Sequence, residues 1–507
     1  MARKRKNDSS HGPVSILLFL ILIVGILSFL FSIFGLESYQ TKISNGTLES
    51  SLITVRNFLS LNGLKFLVSN AVDNLKNFEP LVLIIIVLTG LGIVEKSGLL
   101  SASIKPFKRI KFGLLLFLTF FLGIISNFIG DYSYILLIPL TGTIYKYLEK
   151  NPSIGILTMF LGITVGFGTG LVFNYNDFVL GNLAQASATL EVDKNYQFLL
   201  QSRLFIQIAS SLLLSMIGTI LIDRLLVPKF PKRASLEEEE LPVSNRGRWY
   251  ANLGLICYSV LILFLILPIK VPGAGVLLDS SQSEYIAQLF GPNAPFGNGF
   301  VLIVSIGFMI AGFLYGKISG TIKDSNEYSL GLSKNFENLG FMFVLMFFTA
   351  QLISILNWTN LGNVLGAHIV EFIGTQQFSG IPLIIIFFLS VIIMSIFIPG
   401  TIEKWNLLYP TIIPLFMRSN ITPDFTLFVF QIADGVGKTF TPLFTYFIIM
   451  LAFLEKYRTN EKQQVSIFGT LKILMPTILS LAFLMLMIVV LWYLMGLPLG
   501  VGVFSTI

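Results

Sequence analysis

The sequence predicts an all-α polytopic membrane protein: nine transmembrane helices plus two opposed re-entrant helical hairpins, arranged as an inverted repeat. Three observations predict it. Hydrophobic residues make up 54% of the 507 residues and charged residues only 12%, where soluble domains carry about 25% charged. Apolar runs of membrane-spanning length recur along the chain. Two further apolar segments are broken by polar residues at matching places in two halves.

This composition excludes a soluble enzyme, a disordered chain and a nucleic-acid-binding module. Lys and Arg (34) outnumber Asp and Glu (27), for a net charge of +7. In a membrane protein that excess belongs to cytoplasmic loops. Cys257 is the only cysteine, so no disulfide forms within the chain and no Cys-based metal site exists. His11 and His368 are too few and too far apart for zinc.

Residues 1–13 form a basic cytoplasmic N-terminus, with Arg3, Lys4, Arg5 and Lys6 ahead of an apolar run at 14–36. That run is long enough to span and is read as an uncleaved first helix. The charge-balanced stretch 37–79 is external. A span at 80–98 returns inward and ends at Lys96, before Lys105, Lys108, Arg109 and Lys111. Residues 14–111 are thus outer helices. Full-length runs follow at 154–173, 203–226, 252–268, 297–316, 338–357, 425–453 and 468–496. The loops alternate in basicity. Segment 224–249, including the charged loop 227–249, holds Arg224, Lys229, Lys232, Arg233, Arg246 and Arg248, and segment 269–296 only Lys270. Segment 317–337 is basic (Lys317, Lys323, Lys334), 358–380 has neither Lys nor Arg, and 455–462 has Lys456, Arg458 and Lys462. The acidic run Glu237 to Glu240 reads as a solvated face. The alternation fits nine spans with the N-terminus in the cytoplasm and the C-terminus external, residues 250–357 being a second set of outer helices.

Segments 112–149 and 381–417 do not fit as simple spans. The first is interrupted by Ser126-Asn127 and Gly130-Asp131, the second by Pro399-Gly400-Thr401 and Glu403-Lys404. Two full spans in either segment would leave arms too short for a ~30 Å hydrocarbon core. Each reads as a re-entrant hairpin whose polar tip is sheltered by protein or a water-filled cavity. The first enters from the cytoplasm and the second from outside. Each precedes two further runs, giving halves 112–226 and 381–496. A local echo places Asp131 eight residues before Pro139-Leu140, and Asn406 eight before Pro414-Leu415.

Polar residues inside apolar runs mark the candidate site. Asn174-Tyr175-Asn176-Asp177 follows the run 154–173, and Gln431-Ile432-Ala433-Asp434-Gly435-Val436-Gly437-Lys438 lies within 425–453. Both read as helices broken near 174–177 and near 431–438. Unwound carbonyls and carboxylates there bind Na⁺ or relay a proton, and half-helix N-termini hold anionic groups. A charge at membrane depth costs about 2.5–3.5 kcal/mol even on the lenient insertion scale, so it marks function by default. The plainer alternatives are that Asp177 is solvated at the external end of its span, and that Asp434 forms an i,i+4 pair with Lys438. Gly437-Lys438-Thr439 is not a phosphate loop, because the glycine required five residues earlier is Ile432. Trp405, beside Pro399-Gly400, is a candidate to stack on a substrate ring. No nucleophile motif or metal cluster suggests an enzyme. A channel would need a continuous polar pore rather than two opposed broken hairpins.

The sequence resembles the AbgT family, the p-aminobenzoyl-glutamate transporters, over nearly the whole chain. The resemblance rests on Gly92 to Leu100 (GIVEKSGLL), Leu356 to Asn360 (LNWTN), Trp405 to Pro414 (WNLLYPTIIP), Ile432-Ala433-Asp434 and Trp492 to Pro498 (WYLMGLP). It implies nine spans with two opposed hairpins, and a homodimer with a cytoplasm-facing basin. It also implies ion-coupled movement of p-aminobenzoyl-glutamate, or efflux of sulfonamide antimetabolites, across the bacterial cytoplasmic membrane. By matching position it places functional aspartates at Asp177 and Asp434, a hairpin aspartate at Asp131, the tryptophan at Trp405 and prolines at Pro423 and Pro442. The expected substrate-binding set is Trp405, Gln431, Asp434, Lys438, Pro423 and Pro442. The expected ion-coupling set is Asp131, Asn174, Asn176, Asp177 and Asp434. Sodium or a proton is the coupling ion, with Na⁺ near Asn174 and Asp177, and no other cofactor is expected. Three positions depart from the family: its arginine is Gln431, its serine Ile402 and its first-half asparagine Gly170. The lost arginine leaves a different organic anion open as the substrate, with Lys438 or Lys404 as the substitute cation.

Overall fold

A computed structural model describes residues 12–44, 46–231, 243–337, 339–376, 378–458 and 465–507. Arg3 to Lys6, His11, Lys232, Arg233, Glu237 to Glu240 and Lys462 lie outside the described residues. Nine described helices are long and apolar enough to cross a membrane. Seven occupy predicted spans: Pro13–Ile33, Leu61–Ser97, Leu200–Lys229, Asn245–Ile266, Pro295–Ser319, Gly340–Thr359 and Ile467–Met495. The other two, Phe112–Ile129 and Gly380–Phe397, are the first arms of the two hairpins. The runs 154–173 and 425–453, read as carrying broken helices near 174–177 and 431–438, each belong to a pair of short helices.

The first hairpin pairs Phe112–Ile125 with Tyr132–Tyr147. Its tip is one tight turn, Ser126–Ile129, followed by Gly130 at φ +61°, a conformation that favours glycine. The second pairs Gly380–Phe397 with Thr401–Arg418 across Ile398-Pro399-Gly400. Pro399 bars the preceding residue from helical geometry, which ends the first arm. The first broken helix comprises Pro152–Val165 and Tyr175–Glu191, and the second Pro423–Lys438 and Thr445–Lys456.

The breaks lie beside the polar motifs rather than in them. The first spans 166–174, where Gly168 has φ +81°. The second spans 439–444 and contains Pro442, which has no N–H to continue a helix. Residues 431–438 are fully helical, so Asp434 and Lys438 share one face. The sequence echo is not structural either. Asp131 precedes its arm at the hairpin tip, whereas Asn406 lies in the second turn of its own.

The contacts between the halves are exchanged in pairs. Each hairpin's first arm packs on the first half of its own broken helix. The second half-helix crosses over: Tyr175–Glu191 packs on the second arm of the second hairpin, and Thr445–Lys456 on the second arm of the first. Closing helices Leu204–Leu225 and Ile467–Met495 pack on each other. This reciprocity is what a two-fold repeat requires. Two glycines permit the close crossing of the broken helices. A Cβ on Gly168 would lie 2.6 Å from Gln431 Cβ, and one on Gly435 would collide with the Thr164 carbonyl oxygen.

The outer helices surround this core. Glu79–Ser97 packs along Pro295–Ser319, which also holds Asn245–Ile266, while Pro13–Ile33 lies on Gly340–Thr359. The exterior carries apolar side chains such as Phe19, Ile256, Met216 and Phe483, as lipid contact demands. One departure from an all-α chain occurs in the stretch predicted as an external loop. Strands Glu37–Ser44 and Thr47–Thr54 form an antiparallel hairpin, and helix Leu61–Lys76 follows, capped by Ser60. This sheet rests on helix Leu361–Thr375 and on the second arm of the second hairpin.

Candidate functional site

Each broken helix carries a buried aspartate held by cations of the chain itself, Asp177 in the first and Asp434 in the second, where a further buried aspartate, Asp424, accepts from the Tyr196 and Ser202 hydroxyls instead. Asp177 is in the first turn of Tyr175–Glu191, in a reciprocal cap with Asn174. The Asp177 N–H donates to Asn174 Oδ1 (2.8 Å), and the Asn174 N–H donates to Asp177 Oδ2 (3.0 Å). Its other oxygen, Oδ1, accepts from Arg203 Nη2 (3.1 Å) and Gln431 Nε2 (2.9 Å). Arg203 also donates from Nη1 to Gln431 Oε1. The arginine side chain is 0% exposed and the aspartate's 3%. Asp177 is therefore neither solvated nor free. The Na⁺ expected near Asn174 and Asp177 meets a carboxylate whose oxygens are engaged and whose charge is already neutralised. Asn174 donates onward from Nδ2 to the Asn127 carbonyl (3.2 Å), tying the break to the first hairpin's tip.

Asp434 lies between two lysines. Lys404, from the second hairpin, binds Oδ1, and Lys438 binds Oδ2 at 3.0 Å. The Thr401 hydroxyl donates to Oδ2 (2.7 Å), the Ser395 hydroxyl lies 3.4 Å from Oδ1, and Lys404 also donates to Ser395 (2.7 Å). Asp434 and Lys404 have no exposed surface. The i,i+4 pair with Lys438 exists, enlarged by a second lysine. A lone buried charge would cost several kcal/mol, and this network supplies its partners.

The two hairpin tips line one cavity of about 430 Å³. Asp131 enters it from the first tip, Gly400, Thr401 and Ile402 from the second, and Asn176, Lys438, Phe444 and Tyr446 from the broken helices. Glu79 closes one side. Asp131 is exposed and lines this space together with Tyr446. The Tyr446 ring stacks on Tyr134 (centroids 4.5 Å, planes 9° apart). A wall holding the carboxylates of Glu79, Asp131 and Glu403, the Asp434-paired ammonium of Lys438 and aromatic rings can bind a small amphipathic molecule.

Other expected site residues are elsewhere. Trp405 is fully buried, its indole N–H donating to the Leu180 carbonyl (3.0 Å) and its ring against Phe430 (4.5 Å between centroids). Its ring surface is used by protein, so the expected stacking on a substrate gives way to a packing role that ties the second hairpin to the first broken helix. Pro423 is the first residue of its half-helix, capped by Thr422, roughly 22 Å of helix from Lys438. Its role is to start that helix. Pro442 shapes the second break. Gln431 and Asp434 contact protein partners rather than the cavity. Arg203 escaped the sequence reading. Its signal was an arginine at the edge of an apolar run, in a loop where positive charge is disfavoured.

Comparison with known proteins finds relatives that match nearly the whole chain. The p-aminobenzoyl-glutamate transport protein of Escherichia coli (strain K12) is 23% identical over 502 residues, covering 99% of this chain and 96% of that protein. Among solved structures, the YdaH transporter of Alcanivorax borkumensis, described as having an unusual topology, is 25% identical with a TM-score of 0.48, covering 97% of this chain and 100% of its own. MtrF of Neisseria gonorrhoeae, described as illuminating a class of antimetabolite efflux pumps, is 24% identical with a TM-score of 0.49, covering 96% of each chain. The profile of the AbgT putative transporter family matches residues 6–507. With that match over almost its entire length, this multi-pass membrane protein belongs to the AbgT family of transporters.

Proposed function

We infer that this protein is an ion-coupled secondary transporter that carries p-aminobenzoyl-glutamate, or a related aromatic antifolate or sulfonamide, across the bacterial cytoplasmic membrane. The observation that supports this most is the cavity bounded by both hairpin tips, with Lys438 and Asp131 facing it. Its volume of about 430 Å³ falls within the usual range for small-molecule sites. p-Aminobenzoyl-glutamate carries an aromatic amide and two carboxylates. Phe444 and Tyr446 offer apolar surface for its ring, and Asn176 offers an amide donor for a carboxylate. Asp131 is the ionisable group best placed to exchange a coupling ion with the cavity, and Asn176 adds an amide beside it. In this reading the hairpins are re-entrant, the N-terminus is cytoplasmic, the C-terminus is external, and the working unit is a homodimer.

A second reading is favoured by the charge around the cavity. Glu79, Asp131 and Glu403 line it against one lysine, Lys438, which is itself paired with Asp434. A less acidic aromatic is then preferred. Uptake and efflux of labelled p-aminobenzoyl-glutamate in proteoliposomes, with sodium and pH gradients imposed separately, tests both. Gradient-driven flux supports the first reading. Flux of a neutral sulfonamide alone supports the second, and no flux of either class contradicts both.

A further inference from the structure

The second broken helix ends its first half at Lys438, and helix resumes only at Thr445. The end of a half-helix presents carbonyl oxygens and the negative pole of its dipole. In secondary transporters such an end, with an unwound segment, holds the coupling metal cation. Here a cation of the chain stands in that place. The Lys438 ammonium is 3.0 Å from Asp434 Oδ2 and donates to the Thr401 hydroxyl at the second hairpin's tip. Its remaining sides meet the rings of Phe167 and Phe444, 4.6 and 5.4 Å from their centroids. Carboxylate and hydroxyl oxygens are ligands a sodium ion would use, and the aromatic faces suit an ammonium. Lys404 takes the other carboxylate oxygen, so Asp434 keeps neither oxygen for a metal.

The first half reaches the same end by other means. Its hairpin tip is joined to its broken helix by amides: Asn127 Nδ2 donates to the Ile163 carbonyl (3.0 Å), and Asn174 Nδ2 to the Asn127 carbonyl. Its carboxylate is neutralised by Arg203. Both junctions thus receive their positive charge from side chains.

We propose that Lys438 is a tethered cation standing in for a sodium ion where the second hairpin meets the second broken helix, so that the transport cycle runs without sodium. The proposal rests on the transporter reading above for its second clause only. The test compares purified wild-type protein with Lys438→Gln. Wild type should melt at the same temperature in sodium and potassium chloride, and its flux of labelled p-aminobenzoyl-glutamate should be unchanged when potassium replaces all sodium. Lys438→Gln opens the position that the ammonium takes on Asp434 Oδ2 and the Thr401 oxygen, and should gain an upward melting shift in sodium that wild type lacks. A sodium shift in wild type equal to that of the variant, zero or otherwise, overturns the proposal. So does wild-type flux that is lost without sodium. If Lys438→Gln fails to fold, the two wild-type measurements decide. If wild type moves no p-aminobenzoyl-glutamate in any buffer, the substrate reading fails, while the melting comparison still decides the role of Lys438.

Discussion

Replacing Arg203 by methionine should destabilise the protein by about 3–5 kcal/mol, the usual cost of removing one member of a buried ion pair. The guanidinium is wholly buried, and Asp177 beside it is 3% exposed. Without Arg203, Asp177 retains the Asn174 N–H and Gln431 Nε2 as donors but no counter-charge. Arg203 spans the halves, since it also holds Gln431 of the second broken helix. The variant should therefore lose transport as well. The companion Asp177→Leu leaves the guanidinium unpaired at a similar cost. Combining the two removes both charges and strands only neutral groups, Gln431 and the Asn174 N–H, at about 1–3 kcal/mol each. The double variant should thus lose much less than the sum of the two single losses. Chemical unfolding in detergent, monitored on all four proteins, gives the cycle. The reasoning is refuted if Arg203→Met costs under about 1 kcal/mol, or if the double variant shows the simple sum of the single losses.

Trp405→Phe should keep the contact with Phe430 and lose only the bond to Leu180, about 1 kcal/mol, whereas Trp405→Ala should cost about 3–5 kcal/mol; thermal unfolding of both variants checks this. Gly168→Ala and Gly435→Ala should each cost roughly 1–3 kcal/mol and suppress flux, because their new methyl groups enter the crossing of the broken helices. Gly113→Ala, with open space around it, is the control and should leave both measurements unchanged. Asp434→Asn keeps the shape but leaves Lys404 and Lys438 without a counter-ion, so proteoliposome flux should vanish and the melting temperature should fall together.

The breaks that make the core were legible because polar residues and Gly or Pro interrupt apolar runs of fixed length. Their positions were less legible. The motif at 431–438 looked unwound because it is polar, yet Asp434 and Lys438 need helical spacing to meet, and Pro442 sets the break. The strands around Asn45-Gly46 carried a strong turn signal, but a loop without strong hydrophobic alternation hid them. Arg203 was missed for a different reason. Its partners lie 26 and 228 residues away in sequence, and only the folded crossing of two broken helices brings them together. Trp405 was misjudged because its nearness to the hairpin tip in sequence said nothing of which face its ring takes.

The cavity between the hairpin tips, proposed as the substrate's path, is open to a labelling experiment at Ile402. Ile402 lines the cavity and is 40% exposed. Cys257, exposed on the outer surface, is first replaced by serine so that Ile402→Cys carries the single thiol. In proteoliposomes a water-soluble thiol reagent should modify this cysteine, and p-aminobenzoyl-glutamate should slow the reaction in proportion to its occupancy. A thiol that the reagent never reaches, or one that reacts at the same rate with saturating substrate present, would show that the substrate does not pass through this cavity.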